Sequence, residues 1–100
     1  MKPRLFLDVD PRTLRLPPSR SAGADIWKLQ RQIARFGAST TAMPALEVSR
    51  GNDGELMIND GLTRATRVAK LAPGTTVRVE VIDDLPIAVG HFKTVGDMLP

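Results

Sequence analysis

"INDGLTRATRVAK", residues 58–70, decides how this chain is read. Its first part ends an apolar run at Asp-Gly, a pair that favours a sharp turn. Its second part changes period. Before Gly61 the apolar pattern is that of a strand. After it, Leu62, Ala65, Val68, Ala69 and Ala72 share one side, with the spacing of a helix face. Thr63, Thr66, Arg67 and Lys70 fall on the other side. The stretch predicts a strand that turns abruptly into a helix, which Pro73-Gly74 then stops.

Working outward, Leu46 and Val48 alternate with Glu47 and Ser49, which predicts a strand before the turn signal "GNDGE" at residues 51–55. Leu56, Met57 and Ile58 form the returning strand, antiparallel to the first. Beyond the helix, Val77, Val79 and Val81 alternate with Arg78, Glu80 and Ile82, the cleanest strand pattern in the chain. On the N-terminal side, Ile26, Leu29, Ile33 and Phe36 lie on one face of an amphipathic helix. Ser21 or Asp25 would cap its start, and Gly37 sits just past its end. Trp27 would cover the edge of the apolar stripe, while Lys28, Arg31 and Arg35 form a basic outer face. Residues 10–24 are rich in Pro and Ser and read as a loop. Leu5, Leu7 and Val9 make a short first strand. The expectation is one α+β domain over residues 1–100, with a mixed sheet and two main helices. It divides into a strand plus Pro-rich loop (1–24), a core (25–84) and a tail (85–100). The Pro-rich stretch and the tail are candidate docking segments.

Composition narrows the function classes. An apolar fraction of 42% with 25% charged residues fits a globular chain and argues against wholesale disorder. The absence of cysteine removes disulfides, thiolate metal sites and cysteine nucleophiles together. No apolar run is long enough to span a bilayer, and the N-terminus lacks a signal-peptide core. That predicts a cytoplasmic protein, or one exported as part of a larger chain, with no membrane partner. Residues 1–36 carry eight basic and three acidic side chains, against six and eight in residues 37–100. A basic N-terminal half suits an acidic partner or a phosphate backbone, although a solvated basic surface has the same composition.

The turn at residues 60–64 is the strongest candidate for chemistry. Gly61 allows a sharp bend and close backbone approach. The first helical turn offers free N–H groups and a positive dipole end. Thr63 adds a hydroxyl, Arg64 adds a planar fork suited to phosphate or carboxylate, and Arg67 would widen the cradle one turn on. Asp60 stands at the mouth. The competing reading is ordinary capping, with Asp60 closing the helix and pairing with Arg64.

Other constellations are weaker. His91 is the only histidine, and a Ser-His-Asp arrangement would have to join it to Ser39 or Ser49 without a nucleophile-elbow motif. Zinc has too few His/Cys ligands. A hard metal would need carboxylates from Asp8, Asp10, Asp60, Asp83 and Asp84 to converge, Asp60 and Asp83-Asp84 each following a strand. Trp27 and the three phenylalanines are too few for a base-stacking platform and read as core packing.

Residues 45–84, "ALEVSRGNDGELMINDGLTRATRVAKLAPGTTVRVEVIDD", resemble the ParB/sulfiredoxin fold family in the order of their elements. That family shows a strand, a turn, a second strand, a Gly-x-x-Arg box opening a helix, a Gly-containing turn and a Val-rich strand. Here the box reads Gly61-Leu62-Thr63-Arg64. "VDPRTL" and the helix through Ile33 are similar to the family's N-terminal part. The resemblance implies that the box contacts nucleotide phosphates, with Arg64 as anchor and Gly61 as the tight turn. The ligand would be a nucleoside triphosphate with Mg²⁺ or nucleic acid, met by Gly61, Thr63, Arg64 and Arg67, with Lys28, Arg31 and Arg35 as a wider surface. Leu62 and Thr63 stand where sulfiredoxins place Cys and His, so sulfiredoxin chemistry is excluded. Thr63 also replaces the second box arginine of chromosome-partition ParB proteins, and residues 85–100 are too few to form a helix-turn-helix domain. Three readings stay open. They are a phosphate-binding module, a metal-assisted nuclease or phosphohydrolase using Asp60 or Asp83/Asp84, with Asp60 and Arg64 as the catalytic candidates (such as a toxin domain of a larger secreted protein), and a non-catalytic protein-interaction domain.

Overall fold

The structure, a computed structural model, describes residues 3–100. Two valine- and leucine-rich strands lie side by side at its centre. They are β2 (Leu46–Arg50) and β4 (Val77–Asp84), and they run parallel, with Leu46 opposite Val79 and Val48 opposite Val81. The edges are antiparallel additions. β1 (Leu5–Val9) pairs with β4, and β3 (Leu56–Asp60) returns from the Gly51 turn to pair with β2. The four-stranded mixed sheet therefore runs β1-β4-β2-β3. Leu46, Val48, Val77 and Val79 alternate along their strands, so all four bury on one face. Phe6, Arg78 and Glu80 fall on the opposite face, where Arg4 and Arg78 lie over the Phe6 ring.

A parallel pair needs a crossover, and β3 followed by α2 (Leu62–Leu71) supplies it. Leu62, Ala65, Val68 and Ala69 pack on the apolar sheet face. Small residues at positions 65 and 69 let the helix lie close. The first helix, α1 (Ile26–Phe36), starts at Asp25, whose carboxylate accepts from the Trp27 and Lys28 amides, and ends at Gly37. It packs on α2 rather than on the sheet. Its predicted stripe is only partly buried: Leu29 is enclosed, but Ile26 and Phe36 stay exposed. Trp27, expected to cover that stripe, is 69% exposed. The aromatic residues are not the core; α2 and the central strands are. No helix among the described residues is long and apolar enough to cross a membrane.

The segments expected to be peripheral prove integral. Leu14 and Leu16, in the Pro-rich stretch, are fully buried, as are Val89 and Val95 in the tail. Arg15 lies along the outer edge of β3, its amide donating to the Leu56 carbonyl and its carbonyl accepting from Ile58. Residues 93–95 pair with it in turn, through Leu16 N–H to the Lys93 carbonyl and Val95 N–H to the Leu14 carbonyl. The core therefore reaches beyond residues 25–84, and neither segment hangs free for docking. Asp53, at the tip of the hairpin, holds the tail: its carboxylate accepts from the amides of Glu55, Val89 and Gly90. Desolvation pushes that carboxyl up, but the backbone donors outweigh it, and Asp53 sits below the ordinary Asp range.

Two outcomes follow from this closure. Leu14→Ala should lower the unfolding free energy in urea by about 2–5 kcal/mol, the range for a fully buried leucine. Asp53 has a folded-state pKa below its unfolded one. Its stabilisation is therefore full above the ordinary Asp range and is lost as pH falls through the lower folded value. Asp53→Asn should flatten the acid limb of a Tm-against-pH curve.

Candidate functional site

Gly61 makes the turn that the sequence demanded. Its φ is +105°, a left-handed conformation that side chains resist. A Cβ there would run into the Leu46 side chain and stand 3.1 Å from Arg64 Nη2. Glycine is thus required twice, by torsion and by space. Gly61 is also the N-cap of α2, and no side chain accepts from its leading amides. Asp60 does not cap. Its carboxylate faces Arg64 instead, at 3.4 Å from Nη2, an exposed i,i+4 pair of small energetic weight. Arg64 Nη1 donates to the Pro44 carbonyl at 3.0 Å, which ties the helix to the segment joining α1 and β2. The remaining face of the guanidinium is open, the side chain being 19% exposed.

The uncapped helix start opens on a cleft of about 260 Å³. Three cations from three separate segments surround it: Arg20 from the turn after Pro17-Pro18, Lys28 from α1 and Arg64 from α2. Asn59 and Thr63 add neutral donors, and Asp60 is the one acidic group of the lining. Among the described residues, neither Arg20 nor Lys28 is in an ion pair. Arg31 and Arg35 continue the basic strip along α1 and share the next groove with Lys28 and Thr63. The structure so brings together Lys28, Arg31, Arg35, Gly61, Thr63 and Arg64. Arg20 was not foreseen: it sits in an aperiodic Pro/Ser stretch, where no pattern shows which way a side chain faces.

Arg67 departs from its expected place in the cradle. It is 2% exposed, turned inward between α2 and α1. Its Nη1 donates to the carbonyls of Gly37 and Ser39 at 2.7 and 2.8 Å, which fixes the chain leaving α1. Thr66, also expected on an outer face, is buried and bonds back to the Leu62 carbonyl. For Arg67 the cause is α1, which packs on α2 and whose C-terminal exit the guanidinium bonds.

The acidic candidates do not converge. Asp60 lies opposite Glu47 where β2 begins, whereas Asp84 lies opposite Arg50 where β2 ends and pairs with it at 2.8 Å. Asp60 and Asp83-Asp84 thus occupy opposite ends of the sheet. Asp10 caps the short turn at Pro11–Thr13, and Asp8 sits across from Arg78. Among the described residues no three His, Cys, Asp or Glu side chains are grouped to hold a metal. The serine candidates are committed elsewhere. Ser49 is buried and accepts from Asn59 Nδ2, and Ser39 Oγ accepts from the Thr41 amide. His91 stacks on Phe92 in the tail.

Comparison of the chain with protein-family models, with curated proteins and with solved structures gives no match. Gly61→Ala should cost at least about 2 kcal/mol, since the left-handed torsion alone costs an L-residue about 1–2 kcal/mol and the clash with Leu46 adds to it. Urea denaturation of the variant checks this.

Proposed function

We propose that this domain is a phosphate-binding module on a ParB-like scaffold, and that it takes a nucleotide or nucleic-acid phosphate at the start of α2. The observation that carries the reading is the convergence of Arg20, Lys28 and Arg64 on a helix N-terminus that no side chain caps. Free amides and a positive dipole end attract an anion, and three cations from different segments give the attraction a fixed shape. Arg64 presents the planar fork, Thr63 a hydroxyl, and Gly61 lets the backbone approach. The box Gly61-Leu62-Thr63-Arg64 and its resemblance to the ParB family support the same assignment. Arg31 and Arg35 would extend the surface along a polynucleotide strand, each neutralising a further phosphate.

The experiment is a thermal-shift and binding titration with CTP, ATP, GTP and a short DNA duplex, with and without Mg²⁺. Arg20→Ala and Lys28→Ala should weaken binding while leaving Tm unchanged, because both side chains are exposed. With the duplex, Arg31→Ala and Arg35→Ala should each reduce the salt slope of log K by about 1. No response to any of these ligands would overturn the reading.

A further inference from the structure

A second cavity, of about 680 Å³, adjoins the cleft where β2 begins. That volume lies within the range of small-molecule sites, about 300–1,000 Å³. Its lining contains a buried charge with an incomplete set of partners. Arg67 is almost wholly enclosed, and no carboxylate among the described residues pairs with it. Its Nη1 is satisfied by two carbonyls, but its Nε is buried without any partner. Its Nη2 has the Met43 sulfur as its one hydrogen-bond acceptor among the described residues, at 3.5 Å, and the guanidinium carbon lies 5.4 Å from the centroid of the Phe36 ring, a contact that leaves the in-plane donors unmet.

The Nε/Nη2 edge of an arginine is a two-donor fork that matches a carboxylate. The same protein uses it so twice. Arg4 holds both Glu80 oxygens through Nε and Nη2, each at 3.0 Å, and Arg15 brings the same two nitrogens to one Glu55 oxygen, Oε1, at 3.0 and 2.6 Å. In Arg67 that fork is left to a thioether. Desolvation alone lowers the pKa of its guanidinium, as expected for a buried cation lacking its anion. Gln32, which lines the same cavity, also buries its Oε1 without a partner.

Charge then selects the ligand. Among the lining residues Arg4 is matched by Glu80 and Arg64 by Asp60. That leaves one cation, Arg67, and one anion, Glu47, which is exposed and in no ion pair with a described residue. A polyphosphate would set several negative charges against Glu47. A zwitterion offers each of the two groups its opposite charge. Met43 is the side chain in the way. It is unbranched and adaptable, and its neighbour Ala42 has φ +56°, a left-handed torsion uncommon outside glycine.

We propose that this cavity binds a free α-amino acid, its carboxylate on the Nε/Nη2 fork of Arg67 in place of the Met43 sulfur and its ammonium toward Glu47. Gln32 supplies a further hydrogen bond to the ligand's polar end. The cavity shares Gln32, Asp60 and Arg64 with the phosphate cleft, but Arg20 lines only the cleft, so Arg20→Ala leaves amino-acid binding intact.

The test is calorimetry on the full chain with the proteinogenic amino acids, the amide and N-acetyl derivative of any that bind, and inorganic phosphate. At least one amino acid should bind, and its amide should bind more than about tenfold more weakly. Met43→Ala should tighten binding by freeing the fork. Glu47→Gln, at an exposed position, should weaken the amino acid and leave its N-acetyl derivative unaffected. Arg67→Lys should abolish binding; should that variant fail to fold, the Met43 and Glu47 variants decide. No binding by either the wild type or Met43→Ala overturns the proposal. So does binding indifferent to Glu47→Gln, or a response to phosphate alone.

Discussion

The parallel pairing of β2 with β4 is the constraint from which the rest of the architecture follows. Two parallel neighbours cannot be joined by a tight turn, so the chain between them must leave the sheet and return. Here it leaves through β3 and α2. The crossover fixes α2 on the apolar face, with its start beside Leu46 and its length covering Val77 and Val79. Because the turn into α2 is packed against Leu46, it cannot relax to suit a side chain at position 61. The candidate site is rigid for the same reason that the core is closed.

Two arginines one turn apart on α2 show how burial divides their work. Arg64 keeps part of its guanidinium in solvent, and its ion pair with Asp60 is weak enough to be exchanged. Arg67 has lost its water, so each of its donors must be satisfied by the protein or by something that enters. Two are, and they anchor the chain leaving α1. The same residue type at a three-residue spacing thus gives a contact surface at one position and an internal tie at the other.

The sheet and helices were legible because their periods are clean. Val77, Val79 and Val81 alternate without interruption, and the change of period at Gly61 marks the boundary of α2 almost to the residue. The α+β class with a mixed sheet follows from that order. What could not be read was which face each helix would lose. Thr66 and Arg67 look like a solvent face but are buried, Arg67 against the end of α1, and packing of a second layer leaves no periodic trace in polar residues. Leu14, Leu16, Val89 and Val95 were hidden differently: isolated apolar residues among prolines and glycines have no period at all. Of the candidate site, Gly61, Thr63 and Arg64 were visible through turn chemistry. Arg20 reached it from an aperiodic loop, and Asp60 was separated from Asp83-Asp84 by strand direction, which single-strand patterns do not encode.

The pairing of residues 14–16 with residues 93–95 has a consequence for how the chain acquires its structure. The Leu14 carbonyl gains its partner only when the Val95 amide is made, and β1 has no strand neighbour until β4 is made. Contacts of such long sequence separation must be closed against chain entropy before they stabilise anything, which slows folding and raises cooperativity. On the ribosome the first strand would wait, unpaired, for β4, whereas the Pro-rich stretch could pair with β3 before residues 93–95 are made. Completion of the sheet's β1 edge and of the layer over residues 14–16 is therefore a late event, because both need partners from the C-terminal part of the domain.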